Sequence, residues 1–388
     1  MSKNKIKAKT LSLFKYKRGL IITLKIAAGL VGFLVLLVIV GAFIPYALSS
    51  KECQTFTTID TRHQASTPDT SITGYSRPEE STYLTFPEWY IVYSAEEYAH
   101  FIKFNPPSRF PYFSSIGQYW CGYKQVSRAV KKSGLPSNFG DQLMLGVIGT
   151  SYSLEYEFKA LYENTIGNVT EVLSFNQKTD EDVYAQKVAQ EYADFLYEIP
   201  WYQFPFGSKL KGLWTHTRFF GPYFIRKSER KIVLSLEYSV KAVYAWIINK
   251  GTQSVYGPED LTIYARIHAL PDDVLNAEPT IKLVKHNDDQ SETILIPRYK
   301  QFTDSVIGMA HHNIQFQDIA GNHTIAVSLL APRDWHYDLS STTPIFSTHI
   351  LTDKKQDRYV IAIPVTSLTD VVHQLETQKI QIEHIYDY

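Results

Sequence analysis

The chain has 388 residues, 39 of them basic and 39 acidic, so its formal charge is zero. The balance hides an asymmetry: the first 25 residues hold Lys3, Lys5, Lys7, Lys9, Lys15, Lys17, Arg18 and Lys25 and no acid, which leaves 31 basic against 39 acidic side chains, or −8, for the rest. A mildly acidic body excludes the broad cationic surface of a nucleic-acid binder, and its ordinary apolar fraction predicts a sizeable folded core.

The basic tail, residues 1–25, runs into 23 uncharged residues, Ile26 to Leu48, rich in Leu, Val, Ile, Ala, Gly and Phe. At 1.5 Å per residue this run crosses a bilayer core of about 30 Å, and it lacks the polar face of a buried core helix. It reads as a signal-anchor: one transmembrane helix, 26–48, with the positive flank cytoplasmic and the bulk of the chain periplasmic or extracellular, on a bacterial inner membrane. The rival reading, a cleaved signal peptide ending at Ala47-Leu48-Ser49, calls for a shorter apolar run. Cys53 follows Ser50-Lys51-Glu52, which is not the small, apolar sequence of a lipoprotein site. The abundant aromatics, 27 Tyr, 21 Phe and 6 Trp, read first as core residues, with a membrane-facing surface as their other use.

Residues 49–83 read as a linker, since Thr55 to Glu80 is rich in Ser, Thr, Asp and Pro and has little apolar periodicity. Cys53 in this stretch and Cys121 beyond it are the only cysteines. In an oxidising compartment they could pair and tie the stalk to the first helices, and free thiols are equally compatible with the sequence. The aromatic segment Leu84-Thr85-Phe86-Pro87-Glu88-Trp89-Tyr90-Ile91-Val92-Tyr93 follows, and Ser94 with Glu97 has the form of a capping box that starts a helix. With the later Ser114-Ser115-Ile116-Gly117-Gln118-Tyr119-Trp120, this segment resembles a group of bacterial single-pass membrane-anchored proteins that have no assigned function. The resemblance covers residues 84–165 and the C-terminal end and implies no activity.

Residues 84–256 carry an internal repeat. Glu97-Tyr98-Ala99-His100-Phe101 recurs 94 residues later as Glu191-Tyr192-Ala193-Asp194-Phe195, and positions 97–120 hold nine identities at that spacing, Pro106/Pro200 and Trp120/Trp214 among them. Ser153-Leu154-Glu155-Tyr156 with Lys159 recurs 82 residues later as Ser235-Leu236-Glu237-Tyr238 with Lys241. The expectation is a duplicated all-α domain, copies 86–167 and 179–250, each of about three helices, packed about a pseudo-twofold axis. Apolar steps of three and four residues mark helices over 141–162 and 228–249, and the charges within them argue against further membrane spans.

After Gly257-Pro258 strand patterns alternate with two helices, Gln301–His312 and Thr366–Gln378. Leu261–His268, Thr280–Lys285, Glu292–Pro297, His323–Leu330, Ile345–Leu351, Tyr359–Pro364 and Lys379–Ile385 read as strands. Residues 257–388 therefore suggest an α+β domain of ferredoxin-like type, and the whole chain an α+β protein.

The repeated Glu–Lys pairs are the best candidate site. If both helix faces meet at the axis, Glu155, Tyr156, Lys159, Glu237, Tyr238 and Lys241 line one place and could bind a polar ligand or tune an acid–base group. The plainer reading is an ordinary ion pair one helical turn apart. His311-His312, with His323 and His336 downstream, is the densest histidine region; adjacent histidines on a helix point apart and seldom ligate one metal, which leaves His311 with Asp304 or His323 as the candidate ligands. Glu97-x-x-His100 has the form of half a di-iron motif, but its counterpart, Glu191-x-x-Asp194, lacks the histidine. No Gly-rich phosphate loop, nucleophile elbow, His-Glu-x-x-His or Cys-x-x-Cys is present. The sequence thus predicts no metal and no cofactor. It suggests a ligand- or partner-binding envelope protein, as a monomer or homo-oligomer, with a membrane-tethered enzyme acting through Glu155 or Glu237 as the alternative. Added membrane contact by the helical repeats is a third class.

Overall fold

The computed structural model describes residues 39–49, 52–56, 71–136, 138–255 (side chains to Lys250), 261–271, 274–275 and 279–388, with isolated positions at 29, 32 and 36. The basic tail and most of Ile26–Leu48 lie outside the described residues. Among those that are described, no helix is long and apolar enough to cross a membrane. The architecture is α+β with two antiparallel sheets.

The described end of the apolar run forms a π-helical turn, Ile39–Phe43, and a short helix α1, Ile44–Leu48. The linker is anchored at both ends: β1, Gln54–Thr55, joins a sheet, and Tyr75 is buried with its hydroxyl 2.5 Å from Asp318. Cys53 and Cys121 are joined as a disulfide. The expected free stalk therefore reduces to the stretch around 57–70, which lies outside the described residues.

The first helical copy comprises α2 (Ser81–Leu84), α3 (Phe86–Phe104), α4 (Tyr112–Lys132) and α5 (Phe139–Tyr162). Helix α3 starts eight residues before Ser94, with a proline in its first turn, so the capping-box reading of Ser94 and Glu97 is corrected. Ser94 is instead buried mid-helix, 2.9 Å from Ser115 Oγ and 2.7 Å from Tyr152 Oη. After α6 (Asn168–Leu173), the second copy follows as α7 (Asp180–Leu196), α8 (Phe206–His216) and α9 (Phe224–Val255).

Equivalent residues of the two copies make equivalent contacts. Trp120 Nε1 donates to Ser153 Oγ at 2.8 Å, and Trp214 Nε1 donates to Ser235 Oγ at 2.9 Å. The Tyr98 and Phe110 rings meet edge-on at 5.1 Å, as do those of Tyr192 and Phe204. Pro111 and Pro205 share one unusual backbone geometry (φ −81°, ψ 63° and φ −79°, ψ 60°), each after a 3₁₀ turn and just before a helix. Such agreement follows from a shared core of Tyr, Phe and Trp whose geometry tolerates little change.

The C-terminal region is a second duplication, and the ferredoxin-like assignment is corrected. Strands β2 (Thr262–Ile267), β3 (Lys282–His286) and β4 (Glu292–Pro297), helix α10 (Lys300–His311) and β5 (Phe316–Ile319) form one sheet of order β3-β4-β2-β5. Strands β6 (Thr324–Pro332), β7 (Thr343–His349) and β8 (Gln356–Pro364), helix α11 (Leu368–Thr377) and β9 (Gln381–Tyr386) repeat that order as β7-β8-β6-β9, and β1 adds an edge. Each unit is three strands, a helix and a strand. A ferredoxin-like domain would need helices after its first and third strands in a single sheet.

The five-stranded sheet lies at the centre. One face, with Ile361 and Ile363 of β8, joins α10, α11 and the four-stranded sheet in one core. The other, with Val360 and Ala362, packs against the first helical copy through Phe86, Tyr90 and Tyr93. β8 is therefore buried on both sides, which explains its unbroken apolar run. The first helical copy and the central sheet therefore share one core. The second helical copy has its own small core and packs on the first.

Gly149 of α5 sits where a Cβ would stand 2.2 Å from the Tyr119 ring, inside this aromatic packing. Gly149→Ala should destabilise the protein by roughly 2 kcal/mol through overpacking, read as a lower denaturation midpoint of the full chain.

Candidate functional site

Helices α5 and α9 cross at the repeated Glu–Lys pairs, and the four side chains close into an alternating ring. Lys159 Nζ lies 3.3 Å from Glu155 and 2.9 Å from Glu237, and Lys241 Nζ lies 2.8 Å from Glu155 and 3.1 Å from Glu237. Each lysine also stands over an equivalent tyrosine, Lys159 over Tyr98 at 4.9 Å and Lys241 over Tyr192 at 5.4 Å. Tyr156 and Tyr238 are buried beside the ring, and the Tyr156 hydroxyl lies 3.0 Å from Ser94 Oγ. The structure thus brings all six sequence-selected residues to the α5–α9 crossing.

The ring is electrically closed, because each carboxylate has two ammonium partners and each ammonium two carboxylates. Burial works against every charge, but the paired lysines hold Glu155 and Glu237 below the ordinary carboxylate value. In the same way the carboxylates raise Lys159 and Lys241, so all four stay charged at neutral pH. A group poised for proton transfer needs a pKa near the working pH, and none of these has one.

A larger charge cluster lies at the start of α9 and was not singled out in the sequence. Arg226 pairs with Asp182 at 2.8 Å and Glu229 at 3.1 Å, and Arg230 pairs with Glu163 at 2.7 Å and Asp182 at 3.2 Å. Lys227 and Lys231 both reach the fully buried Glu181, at 2.9 and 3.4 Å. The signal was legible: Arg226, Lys227, Arg230 and Lys231 fall one turn apart on a helix, and Asp180-Glu181-Asp182 opens another. The first copy offers no guide, since 82 residues upstream those four positions hold Met144, Leu145, Ile148 and Gly149. A cleft borders the cluster, lined by Phe104, Pro107, Glu171, Lys178, Asp182 and Arg226. Lys178 Nζ donates to the carbonyls of Ile102 and Lys103, both at 2.7 Å, and so caps the C-terminal end of α3.

The third buried polar group lies between α3 and the central sheet. Arg358 binds Glu383 at 2.7 Å and Glu97 at 3.1 Å and stacks on Tyr93. Beside it His384 lies flat against Trp89, 3.5 Å between ring centres, and shares a 2.9 Å hydrogen bond with Thr303. Burial pushes His384 well below the ordinary histidine value and keeps it neutral.

The weaker candidates separate. His311 pairs with Glu376, Asp304 with Lys300, and His323 Nδ1 lies 3.3 Å from the Gln317 carbonyl. Glu97 serves Arg358, and Glu191 serves Lys209 at 2.5 Å. No group of three or more metal-ligating side chains occurs among the described residues. No family model, no curated protein and no solved structure matches this chain.

Glu237→Gln should cost about 2 kcal/mol at neutral pH, between the values for an exposed and a buried pair, because it leaves two lysines sharing Glu155. The native Glu237 value is depressed, so this stabilisation is present above about pH 4.5 and fades as pH falls below it. Unfolding curves of wild type and variant should therefore converge in acid, and curves that stay parallel would rule the ring out as the source.

Proposed function

We propose that the chain is a single-pass, membrane-anchored envelope protein whose extracytoplasmic body binds a partner or ligand and does no chemistry of its own. The observation that carries this reading is how the apolar run ends. Gly41 lies so close to α5 that an added Cβ would stand 2.8 Å from Leu154 Cγ and 3.1 Å from the Thr150 carbonyl oxygen. Tyr46 packs on Trp120 at 5.9 Å, and its carbonyl accepts a hydrogen bond from Lys124. An uncharged segment flanked by eight cations thus ends in direct contact with the body, which would be held at the membrane surface with no free tether between.

The Cys53–Cys121 disulfide accords with an oxidising compartment on the far side of the membrane. The enzyme alternative rests on Glu155 or Glu237, and the closed ring speaks against it: neither carboxylate holds a proton to give at neutral pH, and each is occupied by two lysines. Partner binding fits better, since the ring joins two helices whose outer sides still carry exposed apolar residues such as Phe158 and Leu236.

The test is topology. Full-length protein in intact bacterial cells with a permeabilised outer envelope should be cut by added protease within residues 57–70 or the body, while an N-terminal tag stays protected. On a non-reducing gel it should run as the oxidised form, and Cys121→Ser should abolish the shift. Protection of the body, or a reduced thiol pair in untreated cells, would refute the reading.

A further inference from the structure

The repeat aligns α5 with α9 at a spacing of 82 residues, so each residue of one has a counterpart on the other, and the reciprocal ion pairs Lys159–Glu237 and Lys241–Glu155 respect that spacing. Thr150 and Leu154, where the end of the anchor segment rests, correspond to Ile232 and Leu236. Those two counterparts are uncovered, Ile232 69% and Leu236 64% exposed. The apolar face continues along α9 through Val240, Val243, Trp246 and Ile247, each more than half exposed. Every exposed residue of α9 between 232 and 247 is aliphatic or aromatic. On α5 every exposed residue from 143 to 161 is apolar: Leu143, Met144, Val147, Phe158 and Leu161. Apolar faces of this extent are rare on surfaces that face water, and that of α5 is interrupted by the partly exposed Glu157, whose counterpart on α9 is Ser239.

We propose that the outer faces of α5 and α9 lie in the outer leaflet of the bilayer, with lipid acyl chains as their occupant. The inference rests on the reading of residues 26–48 as the membrane anchor. If that run crosses the bilayer, Gly41 lies inside it, seven residues and roughly 10 Å short of its end at Leu48. Whatever Gly41 touches is then at acyl-chain depth, and it touches α5 at Thr150 and Leu154. Leu154 precedes Glu155 of the charge ring, and Leu236 precedes Glu237 of the same ring. The two helices are pinned together at that level, so the exposed α9 face sits close to the depth of the anchored α5 face. The closed ring suits the setting: charges near lipid persist where they pair with one another and present no unpaired partner. The body would then be a partly sunken pedestal, and the second copy would offer lipid the place that the anchor takes on the first.

The test is lipid photolabelling of the full chain. The protein is reconstituted in phosphatidylcholine vesicles doped with a diazirine acyl-chain phospholipid, irradiated, digested and mapped by mass spectrometry. Label is expected in peptides covering 232–247 and 143–161 as well as in 26–48. The double variant Leu236→Asp with Val240→Asp, at exposed positions that need not affect folding, should lower the α9 label about threefold and leave that of 26–48 unchanged. Label confined to 26–48 would overturn the proposal and spare the anchor. Label on α9 but not on 26–48 would support lipid contact and retire the anchor reading, and label on neither would overturn both. Cross-links between α9 peptides of two copies, with no lipid label there, would assign the face to a second copy and overturn the proposal.

Discussion

The central sheet has two apolar faces, and the rest of the structure follows from covering both. Strand β8 sends Tyr359, Ile361 and Ile363 into the core shared with the four-stranded sheet, and Val360 and Ala362 towards the first helical copy. A strand of that kind cannot border water on either side. The helical copy is therefore a structural layer of the sheet and not an appended module. Its polar groups are answered at the same interface: Thr82 donates to the Tyr386 carbonyl at 2.8 Å, and Tyr93 lies 2.9 Å from Ser328 Oγ. Arg358, buried in the sheet, takes a carboxylate from each side, Glu383 of the sheet and Glu97 of the helix. Removing Arg358 would strand carboxylates buried on both layers, so the arginine ties the layers chemically as well as by packing.

Duplication then sets what is left over. The first copy spends its apolar faces on the sheet and on the end of the apolar N-terminal run. The second packs on the first, and among the described residues nothing lies over the outer face of α9. Divergence followed those different surroundings. Where the first copy has Met144, Leu145, Ile148 and Gly149, the second has Arg226, Lys227, Arg230 and Lys231, matched by acids from α7 and neighbouring turns. What both copies kept is what both still use: the Trp–Ser hydrogen bond, the Tyr–Phe edge contact, and the Glu–Lys pair that closes the ring between α5 and α9.

The helical repeat was legible because its marks are local and the spacing constant. The ring was legible only conditionally, since equivalent charges on equivalent helices come together only where those two helix faces meet. The second duplication escaped, although traces of it exist. Ile294-x-Ile296-Pro297 with Thr303-Asp304 and Ile314-Gln315 is echoed by Ile361-x-Ile363-Pro364 with Thr369-Asp370 and Ile380-Gln381. One residue of slippage between strand and helix, and the lack of charged landmarks, hid it among ordinary apolar strand patterns. The two threonines disclose it in space, since each reaches into the other unit: the Ile385 amide donates to Thr303 at 2.9 Å, and Thr369 donates to the Ile314 carbonyl at 2.5 Å. The capping-box reading of Ser94 failed for a related reason. A serine that starts a helix and one buried in mid-helix look alike until the hydroxyls of Ser115, Tyr152 and Tyr156 are brought around it.

By itself the sequence determined the asymmetry of charge, the uncharged run behind a basic tail, the helical duplication and most strands and helices of the C-terminal region. Each of these is written in residues near one another or at a fixed spacing, so short-range periodicity suffices to find it. Only the tertiary structure decided that Cys53 meets Cys121, that both sheets repeat one strand order, and that Glu97 answers Arg358 across 261 residues. It alone decided which apolar faces are covered and which are bare. These are questions of which surfaces meet, and periodicity marks a face as apolar without saying what lies against it.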